Sequence, residues 1–196
     1  MEYSHLLALS TFALIGSITP GPNNIMLMTS GANIGFYRTI PHMFGILIGF
    51  TLMVIVVGLG LMQLLSAYPL LETILQWACV TYLLYLAYKI ATSHNMSRDN
   101  DAYQPMGILA AASFQWINPK SWSMALSAIT LYSAGINSLY AVYIIAAIYC
   151  IIYIPSACLW VFAGQRMQKI LSKPTNLKYF NYSMASLLVA SMFFSI

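Results

Sequence analysis

Residues 3–37 read YSHLLALSTFALIGSITPGPNNIMLMTSGANIGFY, an apolar run with no formal charge, interrupted near its middle by Thr19-Pro20-Gly21-Pro22-Asn23-Asn24. A helix crossing the hydrocarbon layer needs about 20 mostly apolar residues, so the run is longer than one straight span requires. Proline inside a helix lacks an N–H and crowds the preceding turn, which frees the carbonyls of Gly16 and Ile18. In lipid such groups need another partner or a polar cavity. The same residues also read as the start of a second half-helix. Thr19 is then the N-cap, and Pro20 takes the first helical position, where a missing N–H costs nothing. Asn118-Pro119-Lys120 repeats the pattern later in the chain, with Pro119 freeing the carbonyl of Gln115.

The surrounding composition agrees with a lipid solvent. Of 196 residues, 60% are hydrophobic and 6% charged, too few polar side chains to coat a soluble globule. Turn and charge signals predict an all-α membrane protein with six transmembrane helices at about 4–32, 39–65, 70–91, 106–131, 138–163 and 179–196. Helices one and four are the broken ones. The polar stretch 92–105, with His94, Arg98, Asp99, Asn100 and Asp101, reads as a cytoplasmic linker between repeats at 1–91 and 106–196. An odd number of spans in each half makes these two three-helix repeats inverted.

Six spans place Arg38, Lys89, Arg98, Arg166, Lys169, Lys173 and Lys178 on one side. Basic residues mark the cytoplasmic face, so both termini are expected outside the cell inner membrane. The net charge of +4 is then a topology signal and gives no support to nucleic-acid binding. Glu2 and His5 stand where a secretory signal places Lys or Arg, so the first run is expected to be retained. Cys79, Cys150 and Cys158 form no C-x-x-C pair and read as apolar fillers. No metal site or cofactor is expected, and no phosphate-binding loop of G-x-x-x-x-G-K-[ST] type occurs. Any pumping must draw on a gradient or a partner.

Matching interruptions in two halves point to a midplane binding site. Two half-helix N-termini meeting there offer N–H groups and partial positive charge to an anion. Lys120 adds a full charge, while Asn23, Asn24, Asn118 and the freed carbonyls offer acceptors to an ammonium. A carboxylate and an amine held together outline an amino acid. The bland reading is that the prolines are kinks, since proline is common in membrane helices. Lys120, deep in a span, is harder to explain that way.

At these residues the chain resembles the LysE/RhtB family of amino-acid exporters, which carry T-P-G-P-N in the first span and N-P-K in the fourth. The likeness extends to Gly45-x-x-x-Gly49, Tyr82-Leu83-Leu84-Tyr85-Leu86 with Lys89, and Phe114-Gln115-Trp116-Ile117-Asn118-Pro119-Lys120. It implies a small six-span exporter driven by proton exchange, leaning to the neutral branches that carry threonine and homoserine, or cysteine and O-acetylserine. Departures are Cys79 and Thr81 in span three, Pro41 at the start of span two, and Ala185, Ser186 and Ser191 in span six.

The expected substrate-binding residues are Thr19, Pro20, Gly21, Pro22, Asn23, Asn24, Tyr82, Gln115, Trp116, Asn118, Pro119 and Lys120. Proton coupling needs a group that changes charge, and Lys120, His42 and Glu72 are the candidates. Expected partners are the amino acid, protons and the bilayer, with a homo-oligomer open. Two other readings stand beside the exporter: a six-span membrane oxidoreductase or metal-handling relative, which needs a cysteine pair or a His and carboxylate cluster, and a non-transporting membrane subunit.

Overall fold

The structure, a computed structural model, describes residues 3–61, 69–92, 103–133, 138–167 and 173–193, and these are all-helical without strands. The first apolar run forms α1 (Tyr3–Ile18) and α2 (Pro22–Ile34), separated at the proline motif. Helix α3 (Phe36–Val56) continues into a π-helical turn at Val57–Leu61, and α4 spans Pro69–Thr92. After 103–107 come α5 (Ile108–Phe114) and α6 (Pro119–Tyr132), separated at the second motif, then α7 (Ser138–Met167) and α8 (Pro174–Phe193). Residues 93–102 of the expected linker lie outside the described part, as does the side chain of Glu72 in the first turn of α4.

Two helix starts differ from expectation for physical reasons. Helix α8 begins at Pro174 rather than 179, because proline suits a first helical turn and Lys178 does not end the helix. Its ammonium instead lies 5.7 Å over the ring of Tyr182, one turn on, an arrangement open to a long snorkelling side chain. Helix α3 begins at Phe36 because Gly35 adopts φ 80, a left-handed conformation that costs glycine little. That turn lets α3 follow α2 with one residue between them.

Polarity is arranged inside out. Asn24, Ser30, His42, Gln115, Asn118 and Ser121 are buried, whereas α3 exposes Phe44, Ile48 and Leu52, spaced four apart, and α7 exposes Ile151, Ile154 and Leu159. Apolar stripes of this kind suit lipid contact. Among the described residues, Phe36–Gly60 and Leu139–Met167 are each long and apolar enough to cross a membrane.

Helices α3 and α7 pack against each other at the centre, α7 also lying along α1 and α2, and α3 along α5 and α6. Small residues set these approaches. A Cβ on Gly31 would collide with the carbonyl of Val161, and one on Gly164 with the carbonyl of Met28, so α2 and α7 touch backbone to backbone. Gly49 meets Ala112 of α5 in the same way, its built Cβ falling 2.5 Å from that residue's Cα. Close backbone approach of this sort drives helix association where lipid removes the hydrophobic drive. Helices α4 and α8 pair through Leu83, Leu86, Ile90, Phe180, Met184 and Leu188, and this cluster also takes in Ile25 and Phe114.

Candidate functional site: the junction of two helix breaks

At the first break the backbone carbonyls from Gly16 to Gly21 each find a donor. Gly16 O accepts from Thr19 Oγ1 at 3.0 Å. Ser17 O accepts from Asn24 Nδ2 at 2.7 Å and from Ser156 Oγ at 2.9 Å. Ile18 O accepts from Trp160 Nε1 at 3.2 Å. Thr19 O accepts from Asn24 Nδ2 at 2.8 Å and from Lys120 Nζ at 2.6 Å, and Lys120 Nζ also donates to Thr19 Oγ1 at 2.8 Å and Pro20 O at 3.3 Å. Gly21 O accepts from the Ile25 amide at 2.9 Å, the first bond of α2. A buried carbonyl left alone forfeits about 1–3 kcal/mol, so this set of donors is what lets the chain stop and restart as a helix inside the protein.

Gly21 rather than Thr19 is the N-cap of α2, and Pro22 occupies the first helical turn. Gly21 is extended, at φ −175, a conformation open to any residue. Its requirement is space, since a Cβ there would lie 2.6 Å from Lys120 Cδ.

The second break is made differently. Successive amides from Gln115 to Asn118 bond three residues back, at 3.1 to 3.3 Å, so α5 tightens into a narrower helix before it stops. Asn118 N takes the Gln115 carbonyl that Pro119 leaves free. Asn118 Oδ1 then caps α6 by accepting from the Lys120 amide at 3.1 Å.

Side chains tie the two breaks together. Asn23 and Gln115 form a reciprocal amide pair at 2.7 and 3.2 Å, and Ser121 Oγ donates to Gln115 Oε1 at 2.8 Å. Gln115 Nε2 also donates to the Ala111 carbonyl at 2.9 Å. Gln115 is fully buried, so its amide is held by four fixed bonds. Beside this pair lies a hollow of about 40 Å³, with Asn23, Asn24, Asn118, Lys120 and Ser121 on one side and Phe50 and Tyr153 on the other. That is room for a few waters. The buried hydroxyl of Tyr153 has no partner among the described residues. On the far side of Thr19, Pro20 and Lys120 lies a larger cavity of about 510 Å³, walled chiefly by Ile25, Met28, Trp160, Met184 and Leu187. Lys120 therefore forms part of the partition between two spaces.

The structure thus gathers Thr19, Pro20, Gly21, Pro22, Asn23, Asn24, Gln115, Asn118, Pro119 and Lys120 into one junction. Tyr82 and Trp116 are not brought to it. Tyr82 packs on Phe114 with ring centroids 5.6 Å apart, and Trp116 meets the ring of Trp122 edge-on at 6.3 Å while its carbonyl accepts from Trp122 Nε1. His42 lies elsewhere, against Ser30. Ser156, Trp160 and Tyr153, all on α7, are members the sequence did not reveal. Pro155, a proline inside the continuous α7 and close to two of them, was the one available hint. Among the described residues no His, Cys, Asp and Glu cluster could hold a metal, and Cys150 and Cys158 are free thiols.

An inside-out helical bundle whose broken helices meet at a lysine is the architecture of a membrane translocator. Residues 14–194 match the LysE type translocator family, and the chain belongs to that family. It is a transporter, not an enzyme. Among curated proteins it is similar to the cysteine/O-acetylserine efflux protein of Salmonella typhimurium, 29% identical over 168 residues covering 84% of each chain. It is also similar to the protein of that name from Escherichia coli K12, 30% identical over 127 residues covering 65% of each chain. No solved structure matches the chain.

Proposed function

We propose that this protein exports a small neutral amino acid or derivative, of the cysteine and O-acetylserine or threonine and homoserine kind, across the cell inner membrane in exchange for protons. The observation that supports it most is the set of three bonds from Lys120 Nζ to Thr19 and Pro20. A zwitterion can enter by exchange at this point. Its carboxylate takes the ammonium of Lys120, and its own ammonium takes the carbonyls of Thr19 and Pro20 that Lys120 releases. Charge stays balanced throughout, because a cation and an anion arrive together beside one cation and the negative end of the α1 dipole. The hydroxyl of Tyr153 stands ready as a further partner. The 40 Å³ hollow is too small for an amino acid, whereas the 510 Å³ cavity on the other side of Lys120 has room for one, so passage between the two spaces requires the junction to part.

The rest of the architecture follows the same proposal. Six spans form two inverted halves, 1–91 and 106–196, joined by a cytoplasmic linker, with both termini outside. The reciprocal placement of α3 along α5 and of α7 along α1 supports the inversion. Arg38 in the first turn of α3, with Lys89 and Arg166 in the last turns of α4 and α7, supports the orientation.

The experiment is efflux from proteoliposomes loaded with labelled cysteine, O-acetylserine, threonine, homoserine and lysine, with and without an imposed pH gradient. Protein-dependent loss of a neutral member, stimulated by the gradient, is expected. Release no faster than from empty liposomes for every compound would reject the proposal, and release of lysine alone would reject the neutral branch.

A further inference from the structure

A second polar cluster lies where α2, α3 and the segment leading into α5 meet. Ser30 of α2 is fully buried, and its Oγ stands 2.9 Å from the hydroxyl of Tyr103 and 3.4 Å from Nδ1 of His42. His42 on α3 is itself fully buried. Its other ring nitrogen, Nε2, has no hydrogen-bond partner among the described residues. A leucine or methionine would fill the same volume without an unpaired polar atom. An ionisable side chain enclosed within a membrane protein, with one nitrogen open, marks a functional position.

The ring chemistry fits proton uptake. With the proton on Nδ1 and shared with Ser30, Nε2 presents a lone pair. Adding one proton there makes an imidazolium, and no other bond in the protein forms or breaks. The proton leaves from the same nitrogen later in the cycle.

Neighbouring groups leave His42 as the member that titrates. Burial pushes the phenol of Tyr103 up to about 12, with the bond to Ser30 pulling the other way, so it stays neutral. Helix α2 faces the histidine with Ser30, and α5 carries no titratable residue. Helix α7 places Tyr153 and Cys158 in the apolar cluster around Met43 and Ile46. On α3 itself Arg38, one turn away, is exposed. Imidazole alone among these changes charge near neutral pH in the ordinary case.

Position supplies the consequence. Ser30 belongs to the half-helix that starts at the first break, and Tyr103 precedes the half-helix that ends at the second. A charge placed on His42 acts on a contact that spans both. We propose that His42, held by Ser30 and Tyr103, is the proton-binding group of the transport cycle, separate from the Lys120 junction, and that its protonation changes the contact of α2 with the segment before α5. Its purpose rests on the exporter reading above.

Two measurements test this. In the first, the full chain labelled with 15N-histidine is placed in lipid nanodiscs, and His42→Gln assigns one of the three imidazoles. The His42 nitrogens should take up one proton as the pH is lowered from about 8 to 4, and Tyr103→Phe should displace that transition without unfolding the protein. An imidazole neutral across the whole range, or one indifferent to Tyr103→Phe, overturns the assignment whatever the cargo proves to be. In the second, proteoliposomes carry labelled cysteine under reducing conditions. His42→Gln should remove the stimulation by a pH gradient while cysteine exchange without a gradient stays within about twofold of wild type. Retained stimulation in His42→Gln overturns the proposal. Wild-type protein that moves no cysteine counts against the exporter reading, and the nanodisc result then decides the histidine on its own.

Discussion

The two helix breaks begin from the same proline chemistry and are satisfied in opposite ways. The second closes on itself: a tightened turn absorbs the loose amides, and Asn118 caps the helix that follows. The first uses Asn24 of its own motif and is also held from outside, by Lys120 of α6 and by Ser156 and Trp160 of α7. One break is capped locally, whereas the other leaves the carbonyls of Ile18 and Pro20 to donors from distant helices. A transporter needs both kinds, a fixed support and a contact that can be exchanged for substrate. On the exchange mechanism proposed above, the moving part belongs at the first break.

Removing Lys120 should break the comparison most sharply. In Lys120→Met the three bonds to Thr19 and Pro20 disappear, while the backbone amide that Asn118 caps remains. Loss of transport by about a hundredfold or more is expected, with folded yield in detergent near that of wild type. Transport at the wild-type rate removes Lys120 from the mechanism. Next in size is a difference between two asparagines. Asn24→Ala takes one of two donors from each of two carbonyls in a buried site, for about 1–3 kcal/mol, whereas Asn118→Ala loses one cap, for about 1 kcal/mol. Chemical unfolding in detergent reads both. An Asn118 variant as costly as the Asn24 variant shows that the second break depends on its cap as heavily as the first on its outside donors.

What the sequence could disclose follows the same division. Both interruptions were legible because proline removes a donor wherever it stands, and Asn118 was legible as a cap because capping is local. Charge depth singled out Lys120. The donors from α7 were not legible, since a serine and a tryptophan in an apolar helix look like filler and interface until the tertiary structure aims them. Nor was the shift of the first N-cap from Thr19 to Gly21, where the Lys120 stem occupies the space a Cβ would take. The rings of Tyr82 and Trp116 pack on Phe114 and Trp122 instead of at the junction, because neither a family-like run nor closeness to Asn118 says which way a ring turns. His42 was visible as a titratable residue near a helix start, but its partners were not: Tyr103 is distant in sequence and Ser30 lies on another helix.

The smaller effects test whether the first break is held by its distant donors or merely crowded by them. Gly21→Ala leaves the extended backbone unstrained, yet its methyl meets the lysine stem, with built Cβ to Cδ at 2.6 Å. The ammonium must withdraw from Thr19 and Pro20, so transport should weaken about tenfold through KM, with unfolding almost unchanged. Trp160→Phe is gentler still. It keeps a ring in the wall of the larger cavity and deletes only the 3.2 Å bond to the Ile18 carbonyl, an expected loss of about 0.5–1.5 kcal/mol in unfolding. If the break is held from outside, Gly21→Ala and Trp160→Phe combined should lose more stability than the sum of the two alone, because the displaced lysine and the missing indole leave adjacent carbonyls without donors at once. Strict additivity would mean that the carbonyls find replacements independently, and that the first break is as self-sufficient as the second.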